Sequence, residues 1–175
     1  MSHESHVFML GKSKLVVIKT SIFELKVDAM VNPANCSLMG GGGLDGAFHR
    51  LTNGMMRIEP SLKGGCDVGE VRTSNSYGLS CKYVIHAVGP SYEGGHSGES
   101  ELLTRCYQSI FNEAARLGCM TIAIPALGTG IFRYPVPDAT KIAVHESRVA
   151  AHRFTTIYFP VVDDERYDAY RTALT

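Results

Sequence analysis

Short apolar segments alternate with amphipathic helical segments along this chain, and this alternation constrains the fold more than any other feature. Five segments are predicted strands: KLVVIKT (14–20), VDAMVN (27–32), KYVIHAVG (82–89), MTIAIPAL (120–127) and TTIYFPVV (155–162). Most of them are apolar at consecutive positions, so helices should cover both faces of the sheet. The pattern predicts an α/β domain in which helices cover a mainly parallel sheet.

Three helices are predicted after the third strand. Apolar residues recur at three- and four-residue spacing over 103–117, and Gly118 is a suitable end point. A second helix is predicted over about 137–150, and a third over 163–174, where acidic residues occupy the first turn. A chain of 175 residues that is 45% apolar can build one well-packed core. We therefore expect one domain over 1–175.

Charge and cysteine content limit the possible partners. Seventeen Lys and Arg balance seventeen Asp and Glu, so a nucleic-acid partner is unsupported. Lysines interrupt the early apolar segments, no segment is long enough to span a membrane, and no basic leader precedes an apolar run, so we expect an intracellular, cytoplasmic or nuclear protein. Five cysteines without ligand spacing favour free thiols. The polar HESH segment (3–6) is predicted to be a frayed terminus.

Four consecutive glycines follow the second strand, within VNPANCSLMGGGGLDGAFHRL (31–51). Leu44, Ala47, Phe48 and Leu51 have the spacing of one helical face, so a helix should begin within or just after the glycines. A bare loop before a helix N-terminus can bind an anion, because unpaired N–H groups and the positive end of the helix dipole face one point. The pattern matches neither a P-loop nor a dinucleotide fingerprint. Taken alone, the glycines could also form a simple flexible turn.

A second glycine loop, PALGTGIFRYP (125–135), also follows a buried strand. Ligands of α/β sheets collect beyond the C-terminal ends of the strands, so both loops should face one site. Two facing loops rich in backbone amides suit a pyrophosphate. A third loop, HAVGP (86–90), leaves His86 in a buried strand, where a hydrogen-bonded core histidine is favoured over a catalytic one. No cluster of His, Cys and carboxylate side chains lies near either glycine loop, so no metal ion is expected.

Four motifs occur in order: VDAMVNPAN, GGGGLDGAFHR, YVIHAVGP and ALGTGIFRYP. Together they resemble the macro domain family over about 14–174. The resemblance implies a three-layer α/β/α sandwich with a mixed, largely parallel central sheet and a cleft for ADP-ribose. In many members it also implies hydrolysis, either of mono-ADP-ribose from acidic side chains or of acetyl from O-acetyl-ADP-ribose. The implied partner is ADP-ribose or an ADP-ribosylated protein; we expect a monomer that needs no cofactor.

Residues matching the family motifs receive the family roles. Asn35 and Asp45 become the catalytic residues: Asn35 holds the distal ribose, and Asp45 orients a water that the ligand phosphate also binds. Asn32 is expected to brace the loop, and the Phe132 ring to pack near the distal ribose. The alternative for Asp45 is a carboxylate that complements the helix dipole or pairs with His49. The implied ADP-ribose-binding residues are Ser21, Ile22, Asn35, Gly41, Gly42, Gly43, Leu44, Asp45, Leu127, Gly128, Thr129, Gly130, Ile131, Phe132 and Val162.

Two departures from the family pattern fall at the adenine end. The family usually has an aspartate for the adenine amino group where this chain has Ser21, and often an aromatic ring where it has Val162. Recognition of adenine should therefore be weak. Two other functions stay open: a reader that binds ADP-ribose without turnover and, because of Ser21 and Val162, a binder of another pyrophosphate or nucleic-acid ligand.

Overall fold

The computed structural model describes residues 3–175. Its strands are β1 (Ser5–Leu10), β2 (Ser13–Lys19), β3 (Ala29–Ala34), β4 (Val71–Asn75), β5 (Tyr83–Val88), β6 (Thr121–Ala123) and β7 (Thr156–Val161). Its α-helices are α1 (Gly43–Leu51), α2 (Glu99–Arg116), α3 (Val136–Ala150) and α4 (Asp164–Leu174), with short 3-10 turns between some elements. Within the described range, no helix combines the length and apolar character needed to cross a membrane.

All seven strands join one sheet in the order β1-β2-β7-β6-β3-β5-β4. The inner pairs, from β2–β7 to β3–β5, are parallel, and the pairs at both edges, β1–β2 and β4–β5, are antiparallel. The parallel strands need helical crossovers, and these place α1 on one face and the other helices on the opposite face. The predicted α/β/α sandwich with a mixed, largely parallel sheet is confirmed.

Strand β3 shows how alternation divides the core. Ala29 and Val31 belong to the apolar cluster that contains the buried faces of α2, α3 and α4. Met30 and Ala34 belong to a second cluster, which includes Phe48 of α1. Successive side chains of a strand point to opposite faces, so the intervening Asn32 also lies on the α1 side.

The structure differs from the predicted elements in three places. Segment 120–127 was predicted as one strand, but β6 ends at Ala123, and Pro125, which has no N–H group, begins the loop. Strand β4 has the sequence VRTSN, whose polar character hid it from the apolar pattern. The frayed terminus predicted for 3–6 is wrong for Ser5 and His6, which pair with Ile18 and Val17 of β2.

The five cysteines are free thiols. Burial raises the pKa of Cys106 to about 12 and the pKa of Cys81 to about 11. The thiolate is the reactive form, so these two side chains act as small apolar core residues at neutral pH.

Glu99 holds the loop that leads into α2. Its buried carboxylate accepts hydrogen bonds from the backbone N–H groups of Glu93 (2.8 Å), Gly95 (2.9 Å) and Ser97 (2.6 Å). These bonds, that of Glu93 above all, lower the pKa of Glu99 from 4.5 to about 2. The same loop meets the second glycine loop, because the Tyr92 N–H donates to the Phe132 carbonyl at 2.8 Å.

We expect Glu99→Gln to destabilise the protein at neutral pH, and the difference from wild type to vanish in acid. A carboxyl whose folded pKa is lowered stabilises the fold above its unfolded pKa. That contribution should decline below pH 4.5 and be lost as the pH falls through about 2. Thermal unfolding of both proteins between pH 7 and pH 2 measures the effect; a difference that does not change with pH would contradict it.

Candidate functional site

A cleft of about 320 Å³ lies beyond the C-terminal ends of the parallel strands β2, β3, β6 and β7. Its walls are the segment after β2, the glycine loop before α1, the loop after β6 and the residues that end β7. This is where ligands of α/β sheets bind. The two glycine loops predicted to share one site therefore do so.

The first glycine loop ends as the N-terminus of α1. Gly42 is the N-cap residue, and no side chain caps this helix. The first amides of a helix have no acceptor within it, and the amides of Gly41 and Gly42 donate to no group between residues 3 and 175. The helix approaches the loop closely at Gly46, where an added Cβ would lie 2.6 Å from the Gly41 carbonyl oxygen. The result is a set of free donors at the positive end of a helix dipole.

Most carbonyl oxygens of the second glycine loop accept hydrogen bonds from groups of the protein. The Gly128, Gly130 and Phe132 carbonyls accept from the backbone N–H groups of Tyr134, Arg133 and Tyr92. The amides of Gly130, Ile131 and Phe132, in contrast, donate to no group in the described part of the chain. Gly128 has φ +80°, a conformation that glycine adopts readily. This loop therefore also offers unpaired N–H groups, which suits an anion.

Arg166, in the first turn of α4, braces the second loop. Its guanidinium donates to the Thr129 hydroxyl at 3.0 Å and to the Thr129 carbonyl at 2.8 Å, and it also pairs with Asp163. Arg166 is the one cation among the described residues that line the cleft. It combines a structural contact with a positive charge beside the loop amides.

Asp45 and Asn35 meet at Gly41. An added Cβ on Gly41 would lie 3.2 Å from Asp45 Oδ2 and 3.3 Å from Asn35 Nδ2. The Asn35 side chain bonds within its own loop, donating to the Gly40 carbonyl at 3.0 Å and accepting from the Ser37 hydroxyl at 2.6 Å. Both predicted catalytic side chains therefore reach the same part of the cleft wall. No group of three His, Cys, Asp or Glu side chains within 3–175 is arranged to hold a metal ion.

The other oxygen of Asp45 contacts buried groups. Asn32 Nδ2 donates to Asp45 Oδ1 at 2.8 Å and lies 3.0 Å from His86 Nδ1. Asn32 therefore contacts α1 and β5 rather than bracing the loop as expected. His49 Nε2 lies 3.4 Å from the same Asp45 oxygen, which is within ion-pair distance, but it makes no hydrogen bond among the described residues. The alternative pairing of Asp45 with His49 is therefore geometrically possible.

His86 is a core histidine, as favoured from the sequence. It is 1% exposed, and both ring nitrogens have side-chain partners. Burial lowers the pKa of His86 to about 3, and the charge of His49 contributes to this shift. The imidazole is therefore neutral at physiological pH.

The opposite end of the cleft carries no charged side chain from the predicted set. The Ser21 hydroxyl accepts from the Phe23 N–H at 3.3 Å and so caps a short 3-10 turn. Ile22 is buried beside it, whereas Val162, after β7, is 77% exposed. This end therefore offers apolar contact and one hydroxyl group.

The predicted binding residues line the cleft with one exception. The exception is Leu127, whose side chain is 1% exposed and packs in the core on the side of α2. It precedes the loop proper and turns inward, so its expected place in the cleft wall is wrong. The cleft is also lined by residues that the sequence analysis did not predict: Thr20, Pro33, Ala34, Pro125, Ala126, Pro160, Val161 and Arg166. Most of these neighbour predicted residues, but nothing in the sequence distinguished Arg166.

Comparisons with known proteins agree with this architecture. The sequence model of the macro domain matches residues 31–143. A macro domain-containing protein of Mesorhizobium japonicum is 46% identical over 123 residues, 70% of each chain. An O-acetyl-ADP-ribose deacetylase of Salmonella gallinarum is 38% identical over 170 residues, covering 93% of this chain and 95% of that protein.

A solved structure extends the similarity to three dimensions. The Trypanosoma brucei macrodomain in complex with ADP-ribose is 31% identical and superposes with a TM-score of 0.84, covering 92% of this chain and 69% of that one. The family's sequence model matches more than half of the chain, and the Salmonella gallinarum relative covers 93% of it. The protein therefore belongs to the macro domain family.

Proposed function

We propose that this protein binds ADP-ribose in the cleft and hydrolyses esters at its distal ribose. The ester is either the acetyl group of O-acetyl-ADP-ribose or the bond between mono-ADP-ribose and an acidic side chain. One observation carries the proposal: a carboxylate, Asp45, and an amide, Asn35, converge on Gly41 in a cleft walled by two loops of free amides. The similarity to a protein named O-acetyl-ADP-ribose deacetylase supports it.

The cleft suggests how the ligand would lie. The pyrophosphate would sit between the amides of the two glycine loops, where both donor sets and the α1 dipole favour negative charge. Arg166 would add a positive charge beside the second loop. The distal ribose would then reach Asn35, whose amide would exchange its bonds within the loop for bonds to ribose hydroxyls. Phe132, half-buried at the loop end, would pack on the ribose.

Asp45 would act on a water molecule. Its cleft-facing Oδ2 would accept a hydrogen bond from this water and orient it toward the ester carbonyl carbon, with a ligand phosphate oxygen as the second acceptor. Addition of water forms the new carbon–oxygen bond, and the bond from that carbon to the ribose oxygen then breaks. A water proton ends on the ribose hydroxyl, and the acyl group leaves as a carboxylic acid. Positioning supplies the rate gain, since a single oriented group typically contributes about a hundredfold or more.

The test is turnover by the wild-type protein with two substrates. These are O-acetyl-ADP-ribose and a protein mono-ADP-ribosylated on glutamate, and the readout is release of acetate or ADP-ribose. We expect turnover of at least one. Absence of release from both, with calorimetry still detecting bound ADP-ribose, would show a reader without catalysis. Absence of binding as well would favour a different pyrophosphate ligand.

At the base end of the cleft, we expect Ser21→Asp or Val162→Phe to tighten ADP-ribose binding. A carboxylate makes a charge-assisted hydrogen bond about twice as strong as a neutral one, and an aspartate can also cap the turn that Ser21 caps. A ring at position 162 could stack on the base, which is worth on the order of 1 kcal/mol. Accordingly the wild type should bind only at about micromolar affinity or weaker.

Calorimetric titration of ADP-ribose and of analogues with altered bases measures this effect. Lys12→Ala, on the turn between β1 and β2, is a control far from the cleft. If neither substitution changes the affinity for ADP-ribose and the wild type strongly prefers adenine, then other residues recognise the base.

A further inference from the structure

Four buried polar side chains form a continuous chain from the edge of the sheet to the cleft. They belong to neighbouring elements: Ser74 in β4, His86 in β5, Asn32 in β3 and Asp45 in α1. Ser74 Oγ lies 2.8 Å from His86 Nε2, His86 Nδ1 lies 3.0 Å from Asn32 Nδ2, and that nitrogen lies 2.8 Å from Asp45 Oδ1. None of the four is more than 6% exposed.

The chemistry of these groups fixes the direction of each hydrogen bond. The Ser74 hydroxyl donates to the Asn75 carbonyl at 3.0 Å, so it accepts from His86 Nε2–H. A neutral imidazole carries one proton, so His86 Nδ1 is an acceptor. One N–H of Asn32 donates to that nitrogen, and the other donates to Asp45 Oδ1. A flipped Asn32 amide would place its oxygen against the carboxylate, which excludes that orientation.

As a result, the two oxygens of Asp45 have different surroundings. Oδ1 faces the interior, where Asn32 donates to it and His49 lies nearby. Oδ2 faces Gly41 in the cleft wall. The two carboxylate oxygens are chemically equivalent, so Asn32 fixes the plane of the group rather than the identity of its oxygens. A partial rotation about the χ2 angle would turn the second oxygen away from Gly41, and the hydrogen bond from Asn32 opposes that rotation.

We propose that Asn32 and His86 are positioning residues for Asp45. Asn32 holds the carboxylate with Oδ2 toward the cleft, and His86, as the acceptor for the second Asn32 N–H, holds the Asn32 amide in the one orientation that donates to Asp45. The effect on turnover rests on the proposed function; the effect on the orientation of the carboxylate does not.

A purely structural role would also account for a buried polar network. The test must therefore distinguish a structural role of Asn32 and His86 from a role in positioning Asp45. In His86→Leu the acceptor is lost. In His86→Asn it is retained, since an asparagine Oδ1 lies close to the position of a histidine Nδ1 and accepts a hydrogen bond. Asn32→Leu removes the donor itself. Thr140→Val in α3 is the matched control, because it also removes a buried polar group, here a hydroxyl that donates to the Val136 carbonyl outside the network.

Two readouts apply to folded variants with comparable thermal unfolding: kcat and KM with O-acetyl-ADP-ribose, and the crystal structure of each variant. We expect His86→Leu and Asn32→Leu to lower kcat by about ten- to a hundredfold with KM nearly unchanged, the loss typical of a misplaced catalytic group. His86→Asn should recover most of the rate, and Thr140→Val should match wild type.

Each outcome decides the proposal. Wild-type kcat in both leucine variants would overturn it, as would an equal loss in His86→Leu and His86→Asn. A wild type without turnover would instead refute the proposed function, and the crystal structures then decide. An Asp45 carboxylate unmoved in His86→Leu overturns the positioning role. If the Asp45 carboxylate is rotated in His86→Leu and returns to its wild-type orientation in His86→Asn, the positioning role is supported as a property of the binding site.

Discussion

Replacing Asp45 by asparagine is expected to slow ester hydrolysis by about a hundredfold or more, while ADP-ribose still binds. The substitution preserves size and the interior contact, because an asparagine oxygen can still accept from Asn32 at the Oδ1 position. Only the atom that faces the cleft changes, from an acceptor oxygen to an NH2 donor. An NH2 group at this position cannot accept a hydrogen bond from the water molecule, so it cannot hold the water in the orientation that the carboxylate oxygen would impose. Initial rates with O-acetyl-ADP-ribose, together with calorimetric binding of ADP-ribose, measure the effect.

The control for this prediction is Asp168→Asn on α4. Asp168 is exposed and lies outside the cleft, and the substitution removes the same charge. It should leave both rate and affinity at wild-type levels. Hydrolysis by Asp45→Asn at the wild-type rate would mean that the carboxylate only complements the helix or pairs with His49.

Gly130→Val is expected to weaken ADP-ribose binding by at least on the order of a hundredfold, or about 2.7 kcal/mol. An added Cβ at Gly130 meets no heavy atom within 4 Å, and this glycine does not have a positive φ. The fold therefore accepts a side chain here. The valine would instead occupy the space in front of the loop amides, where backbone must approach the pyrophosphate.

Thermal unfolding should show that Gly130→Val is folded, and calorimetry should show the loss of binding. Gly130→Ala provides a graded comparison, because its smaller side chain should cost less affinity. Undiminished binding by the folded valine variant would show that this loop is only a turn and that the pyrophosphate lies elsewhere.

Local sequence patterns predicted the parts of the site that are formed by backbone groups, namely the two glycine loops. Leu44 and Phe48 carry the helical spacing that placed the start of α1 at the glycines, and the apolar strand before Pro125 placed the second loop at the same edge of the sheet. Side-chain direction was harder to predict. Leu127 turns into the core because the chain changes direction at Gly128, and no local pattern encodes that change.

Long-range contacts explain what else escaped sequence reasoning. Arg166 reaches Thr129 only because α4 packs against β2 and β7, which brings together residues 37 positions apart. Strand β1 lies at an edge and shows weak alternation, so it resembles a polar terminus until β2 pairs with it. The hydrogen bonds of Asn32 likewise depend on β5 being the neighbour of β3, which topology alone determines.

The two walls of the cleft differ in how much they must rearrange when a ligand arrives. In the second wall, the loop carbonyls and Thr129 are already satisfied by protein donors, so its amides are oriented before binding and little conformational entropy remains to be lost. The first wall uses the Asn35 amide to close its own loop, and a ribose must displace those bonds. Affinity should therefore arise mainly at the second loop, whereas the first loop, by adapting to the ribose, should govern which modified sugars proceed to reaction.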